Sequence, residues 1–169
     1  MNIRELSDAF EEAFDQSIVF HGFAEHLRDY DVLIYVSAVS GTGRNAEYLR
    51  YRFTHCVRAT VKTAIPPETW AQSLDERLLD FDAAIKSGVN GYVWGVNYHD
   101  LYPGISLAVE STEAAEWSDR LGLPFHEALL ETNGQCIELV FSDLVVTKIG
   151  PGFAPFAIPP EGSEPVGGG

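Results

Sequence analysis

Asn133-Gly134, set between two alternating apolar runs in LPFHEALLETNGQCIELVFSDL (residues 123–144), constrains this chain more than any other feature. Asn-Gly is the preferred pair for a two-residue type I′ turn, because both central positions of that turn need positive φ. A two-residue turn dictates register, so Thr132 faces Gln135, Leu130 faces Ile137, Ala128 faces Leu139 and His126 faces Phe141. Those partners share one apolar face. His126 then closes the end of a core face as part of the frame while Glu127 points the other way, which argues against a His126-Glu127 catalytic pair. Glu127, Glu131 and Glu138 gather on the opposite face. Paired carboxylates can do acid-base work, but in an acidic protein a solvated face is the favoured reading.

Other segments follow one of two periods. Ile3, Leu6, Ala9, Phe10, Ala13 and Phe14 recur at spacings of three and four among Glu5, Asp8, Glu11, Glu12 and Asp15, which predicts an amphipathic helix with an acidic outer face. Residues 18–26 and 31–39 are rich in β-branched and aromatic types and predict a hairpin around Arg28, Asp29 and Tyr30. Tyr48 to Ala64 alternates throughout and reads as one long antiparallel strand with a wet face, ended by Pro66-Pro67. PETWAQSLDERLLDFDAAI, with Trp70, Leu74, Leu78 and Leu79, reads as helix, and YVWGVNY and LYPGISLAVE as strands. STEAAEWSDRLG has a Ser or Thr N-cap and Gly122 as its stop, so it predicts a further helix.

These elements add up to an α+β fold in which an antiparallel β-sheet built from hairpins packs against two or three α-helices. A chain of 169 residues with 46% apolar content builds one core, so residues 1–150 are expected as a single domain. Residues 151–169 are Pro/Gly-rich and are expected as a flexible tail, its first part tacked down by Phe153 and Phe156. FHGFAEHLRDYDVLIYVSAV (20–39), laid without gaps on residues 125–144, shares the Phe-His start and the apolar alternation. That echo reads as a common hairpin pattern; a true duplication would make His21 and His126 equivalent.

The formal charge of -14 disfavours nucleic acid and anionic membrane as partners and favours a basic protein. The opening MNIRELSDAFEEAF is acidic where a signal peptide is basic and then apolar, and no apolar run approaches a membrane span, so a cytoplasmic location is expected. Cys56 and Cys136 are expected as thiols rather than a disulfide.

The residue types that carry chemistry are scattered. No histidines stand at helical ligand spacing and no serine sits in G-x-S-x-G, so no metal, cofactor or catalytic residue is assigned. SGTGRN lacks the ending of a phosphate-binding loop. His99-Asp100 resembles the pair used by metal phosphohydrolases but lies in a turn. Arg50, Arg52, Arg58 and Lys62 are expected on one strand face, either as an anion or acidic-partner stripe or, as the favoured reading, in cross-strand ion pairs with the Glu127/Glu131/Glu138 face. Tyr92, Trp94, Tyr98 and Tyr102 form an aromatic cluster, and Trp94, Tyr98, His99 and Asp100 are the candidate partner-binding set.

LRYRFTHCVRATVKTAI, W-x-x-S-L-D-x-R-L, PG-x-S-L, W-S-x-x-LG-x-PFHE and LVFSDL together resemble the YxiG-like family of bacterial proteins over roughly residues 18–150. The resemblance implies a frame without an assigned catalytic residue, and an immunity-type role as one reading. The leading expectation is therefore a non-enzymatic protein-binding domain. The alternative is a small-ligand protein or enzyme with a pocket near His99, Asp100 and the Arg50 to Lys62 stripe.

Overall fold

The computed structural model describes residues 1–38, 45–67, 86 and 99–156, apart from the side chain of Glu25. The Asn133-Gly134 hairpin forms as strands β7 (His126–Glu131) and β8 (Gln135–Phe141), with every expected pair from His126↔Phe141 to Leu130↔Ile137 in place. The turn itself is not type I′, since neither Asn133 nor Gly134 has positive φ. Thr132 Oγ1 instead accepts from Gly134 N at 3.1 Å and Gln135 N at 2.7 Å, while Asn133 N donates to Asp100 O at 3.2 Å. A serine/threonine-type turn held by a neighbouring strand thus replaces the turn that the dipeptide prefers on its own, and it keeps the two-residue length that sets register.

Helix α1 (Ile3–Ala13) begins where Asn2 Oδ1 accepts from Glu5 N and Glu5 Oε2 accepts from Asn2 N, a reciprocal cap that satisfies two orphan amides. Its Leu6, Ala9, Phe10 and Ala13 are buried. Strands β1 (Ser17–Phe23) and β2 (Tyr30–Val36) form the expected hairpin around a short 3-10 turn, with a bulge between Ile18 and Phe20. There His21 pairs with Val32, whereas in β7 and β8 the aligned His126 pairs with Phe141 rather than Ile137. The registers of the two hairpins differ, so the sequence echo is a shared alternation and not an equivalent geometry.

The long strand expected over Tyr48 to Ala64 is two strands, β3 (Glu47–Thr54) and β4 (Arg58–Thr63), which lie in different sheets. The break falls at His55, whose φ of 47° leaves the extended region. It is held by His55 N donating to Asp29 Oδ1 at 3.0 Å and by Cys56 N donating to Arg28 O at 2.8 Å. A second corner at Ser142, whose N donates to Thr54 O, separates β8 from β9 (Asp143–Ile149). Strands that change sheets at bends of this kind build two packed layers rather than one sheet.

With β5 (His99–Asp100) and β6 (Gly104–Leu107), the first sheet runs β5-β1-β2-β3-β9 and the second β4-β8-β7-β6, all antiparallel. Val32, Ile34, Tyr51 and Phe53 of the first face Ala128, Leu130, Ile137, Leu139 and Phe141 of the second in one core with Leu6 and Phe10 of α1. Phe53 meets Phe141 edge to face at 4.8 Å between centroids, and Tyr51 Oη donates to Ala9 O at 3.0 Å. Each large apolar side chain buried there contributes about 1.5–3 kcal/mol.

Helix α2 (Thr112–Leu121) covers the outer face of the second sheet, where Ala114, Phe125 and Val140 form a smaller cluster with Val57 and Trp117. Ser111 is its N-cap and Gly122, at φ 66°, its left-handed end, as expected. The α+β class holds, with two antiparallel sheets and two helices among the described residues. The expected helix over 68–85 and strand over 92–98 lie outside them. Phe153 does tack the start of the C-terminal segment down, over the Arg50 guanidinium at 5.3 Å, while Phe156 is mostly exposed. No helix among the described residues is long and apolar enough to cross a membrane.

Candidate functional site

The split of the long strand divides the expected basic stripe into two. Arg50 and Arg52 lie on the outer face of the first sheet and converge on Asp31, whose side chain is fully buried. Arg52 Nε and Nη2 donate to Asp31 Oδ1 at 2.9 Å and Oδ2 at 3.2 Å, and Arg50 Nε donates to Oδ2 at 3.0 Å. Burial raises the Asp31 pKa and the Arg52 hydrogen bonds oppose that rise. Both guanidinium groups are engaged inside the chain.

Arg58 and Lys62 stand on the second sheet. Arg58 Nη2 donates to Glu127 Oε1 at 2.6 Å and Nη1 to Glu138 Oε2 at 3.0 Å. Its Nε lies 2.9 Å from Glu113 Oε2 but off the N–H axis, so that contact is an ion pair rather than a hydrogen bond. Glu127 Oε2 also accepts from Ser111 Oγ, the N-cap of α2. Lys62 Nζ reaches Glu138 Oε1 at 3.2 Å, and hydrogen bonds from Lys62 and then Arg58 hold the Glu138 carboxyl below its usual range. The favoured cross-strand pairing thus forms for Arg58 and Lys62 with Glu127 and Glu138.

His99 and Asp100 form the two-residue edge strand β5 of the first sheet. Ser17 Oγ donates to Asp100 Oδ1 at 2.6 Å, and the His99 ring lies so close to Gly134 that a Cβ there would stand 2.7 Å from its Cε1. Beside them His21, His99, Thr132 and Gln135 line a cavity of about 260 Å³. Burial pushes the Tyr30 hydroxyl up to about 12, and its Oη lies 2.7 Å from His21 Nδ1. His21 Nε2 lies 2.8 Å from Gln135 Oε1. Burial, and next the proximity of His21, lowers the His99 pKa. The result is a pair of imidazoles built into a polar crevice. Trp94 and Tyr98 lie outside the described residues. No three His, Cys, Asp or Glu side chains among the described residues group as metal ligands.

The surface that residue-by-residue reasoning left unassigned is α1. Glu5, Asp8 and Glu12, at i, i+3 and i+7, share one helix face, and with Met1, Ala9 and Val146 they line an open groove of about 280 Å³ between α1 and β9. The spacing was legible as an acidic outer face; that the face borders a sheet edge was not.

A model of the YxiG-like protein family matches residues 2–159. The chain belongs to that family. The match takes in both helices and all nine strands described above. No curated protein and no solved structure matches the chain. Several residues that carry the YxiG-like resemblance are frame: Ser118 Oγ donates to Ala114 O and accepts from Phe125 N, joining the end of α2 to the start of β7. The His126 ring lies 5.9 Å from that of Phe141 and is half-buried at the end of the core face.

Proposed function

We propose that this chain is a non-enzymatic protein-binding domain of the cytoplasm that captures a basic protein on the acidic face of α1, an immunity-type role being one form of it. The observation that carries the reading is the disposition of charge. Arg50, Arg52, Arg58, Lys62, Arg120 and Lys148 are all within 3.4 Å of carboxylates of the same chain, whereas Asp8 and Glu12 line an open groove beside the cap-forming Glu5. A negative surface of that kind steers and selects a positive partner. The test is affinity capture from cell lysate and culture medium at low and high salt, with Asp8→Lys/Glu12→Lys beside the parent protein. A basic protein retained at low salt by the parent only is the expected result; identical retained sets would sink the reading.

The crevice at His21 and His99 favours a second reading, a small polar ligand held by Thr132, Gln135 and the imidazoles. Ligand-induced shifts of the His99 ring resonances in a compound screen would support it, and a screen without such shifts would count against it.

A further inference from the structure

Strand β9 is the outermost strand of the first sheet among the described residues, and its whole length, Asp143 to Ile149, pairs with β3 on one side only. Exposed edges normally carry protection: shortness, a bulge, a proline or a projecting lysine. β5 has two residues and β6 four, so shortness protects them, while β4 has six. β9 has seven residues in unbroken register, no proline, and one lysine, Lys148, which Glu47 engages at 2.8 Å. Val145 and Thr147 are exposed on its outer face.

On the inner face the edge is flanked by α1. Met1 touches the Asp143 carboxylate at the strand's start, and Val146 shares the groove with Glu5, Asp8 and Glu12. A strand added to β9 would lie about 4.8 Å beyond it, with alternate side chains on the α1 side and the rest continuing the Val145 row. The Asp8 and Glu12 carboxylates flank one side, and Val145 and Thr147 are exposed on the other. We propose that the β9 edge receives an extended segment of a basic protein as an added strand, with lysine or arginine at alternate positions facing Asp8 and Glu12. A second copy of this chain fits less well, since pairing two β9 edges antiparallel would bring two acidic α1 helices to the same side of the joint.

This inference rests on the acidic-face reading and adds the mode of docking. The test uses the full chain and a capped peptide about eight residues long, alternating Lys with Val or Thr, the length of an ordinary strand. Its companion is N-methylated at alternate residues, which keeps the charge and removes the edge hydrogen bonds. The expected result is protection of β9 amides from hydrogen exchange by the parent peptide, binding about tenfold weaker for the methylated one, and a similar loss at low salt in Asp8→Asn/Glu12→Gln. Equal binding of the two peptides with changes confined to α1 would overturn strand addition while leaving the acidic-face reading standing. No binding of either would overturn both. A concentration-dependent dimer that protects β9 without peptide would assign the edge to a second copy and overturn the proposal.

Discussion

Arg58 Nη2 stands 2.6 Å from Glu127 Oε1, a contact that reaches from β4 across β8 to β7. The same guanidinium meets Glu138 on β8 and Glu113 on α2, so one side chain joins three strands and a helix. Arg58→Ala is expected to cost about 1–2 kcal/mol, because the network is partly solvated and screened. Urea unfolding would measure the loss, and amide exchange should quicken first in α2. A deficit that does not shrink in high salt would assign the effect to packing rather than charge.

Burial lowers the pKa of both His99 and His126. A histidine with a lowered folded pKa contributes stability that is present above its unfolded value of about 6.5 and is lost as pH falls through the folded value. The melting temperature should therefore fall on acidification below about pH 6.5, and His99→Asn/His126→Asn should flatten that slope. The lowered carboxyls of Glu138 and Asp143 continue the loss further into acid. An unchanged slope in the double variant would place the pH dependence elsewhere.

Cys56 is buried, its Sγ donates to Arg58 O at 3.2 Å, and its thiol is pushed up to about 12, chiefly by burial. Cys136 is half-buried. A thiol reagent at pH 8 should modify Cys136 in the folded protein and Cys56 only on unfolding. Mass spectrometry of partially labelled protein decides the order, and early labelling of Cys56 would contradict its place in the corner between β3 and β4.

A methyl group on Gly134 would meet the His99 ring at 2.7 Å. Gly134→Ala should therefore displace His99, lower stability by about 1–3 kcal/mol as an overpacked contact does, and shift the His99 ring resonances while leaving those of His126 in place. Unmoved His99 resonances would mean that the hairpin tip does not press on β5.

The register of β7 and β8 was legible because turn length and alternating burial agree, and local signals of that kind need no knowledge of the rest of the chain. The caps of α2 at Ser111 and Gly122 were legible for the same reason. The type of the 133–134 turn was not, since Asp100 and His99 approach it from a strand more than thirty residues away. The break at His55 was hidden by alternation that continues across it. VVTKI has strand composition, but β9 pairs with β3, far upstream in the chain, so no local turn marks it. For the candidate surface, the acidic face of α1 could be read from spacing, but its position beside an edge strand could not.

Period and cap chemistry in the sequence thus determined which segments become helix or strand, the pairing of the central hairpin, and the sign of the surface charge. Only the tertiary structure decided that two corners, at His55 and Ser142, divide the strands between two sheets. That division sends Arg50 and Arg52 to Asp31 on one and Arg58 and Lys62 to Glu127 and Glu138 on the other. The physical reason is range. A side chain's periodic neighbours are written within a few residues of it, whereas a carboxylate that neutralises it, or a strand that covers an edge, is brought there by packing.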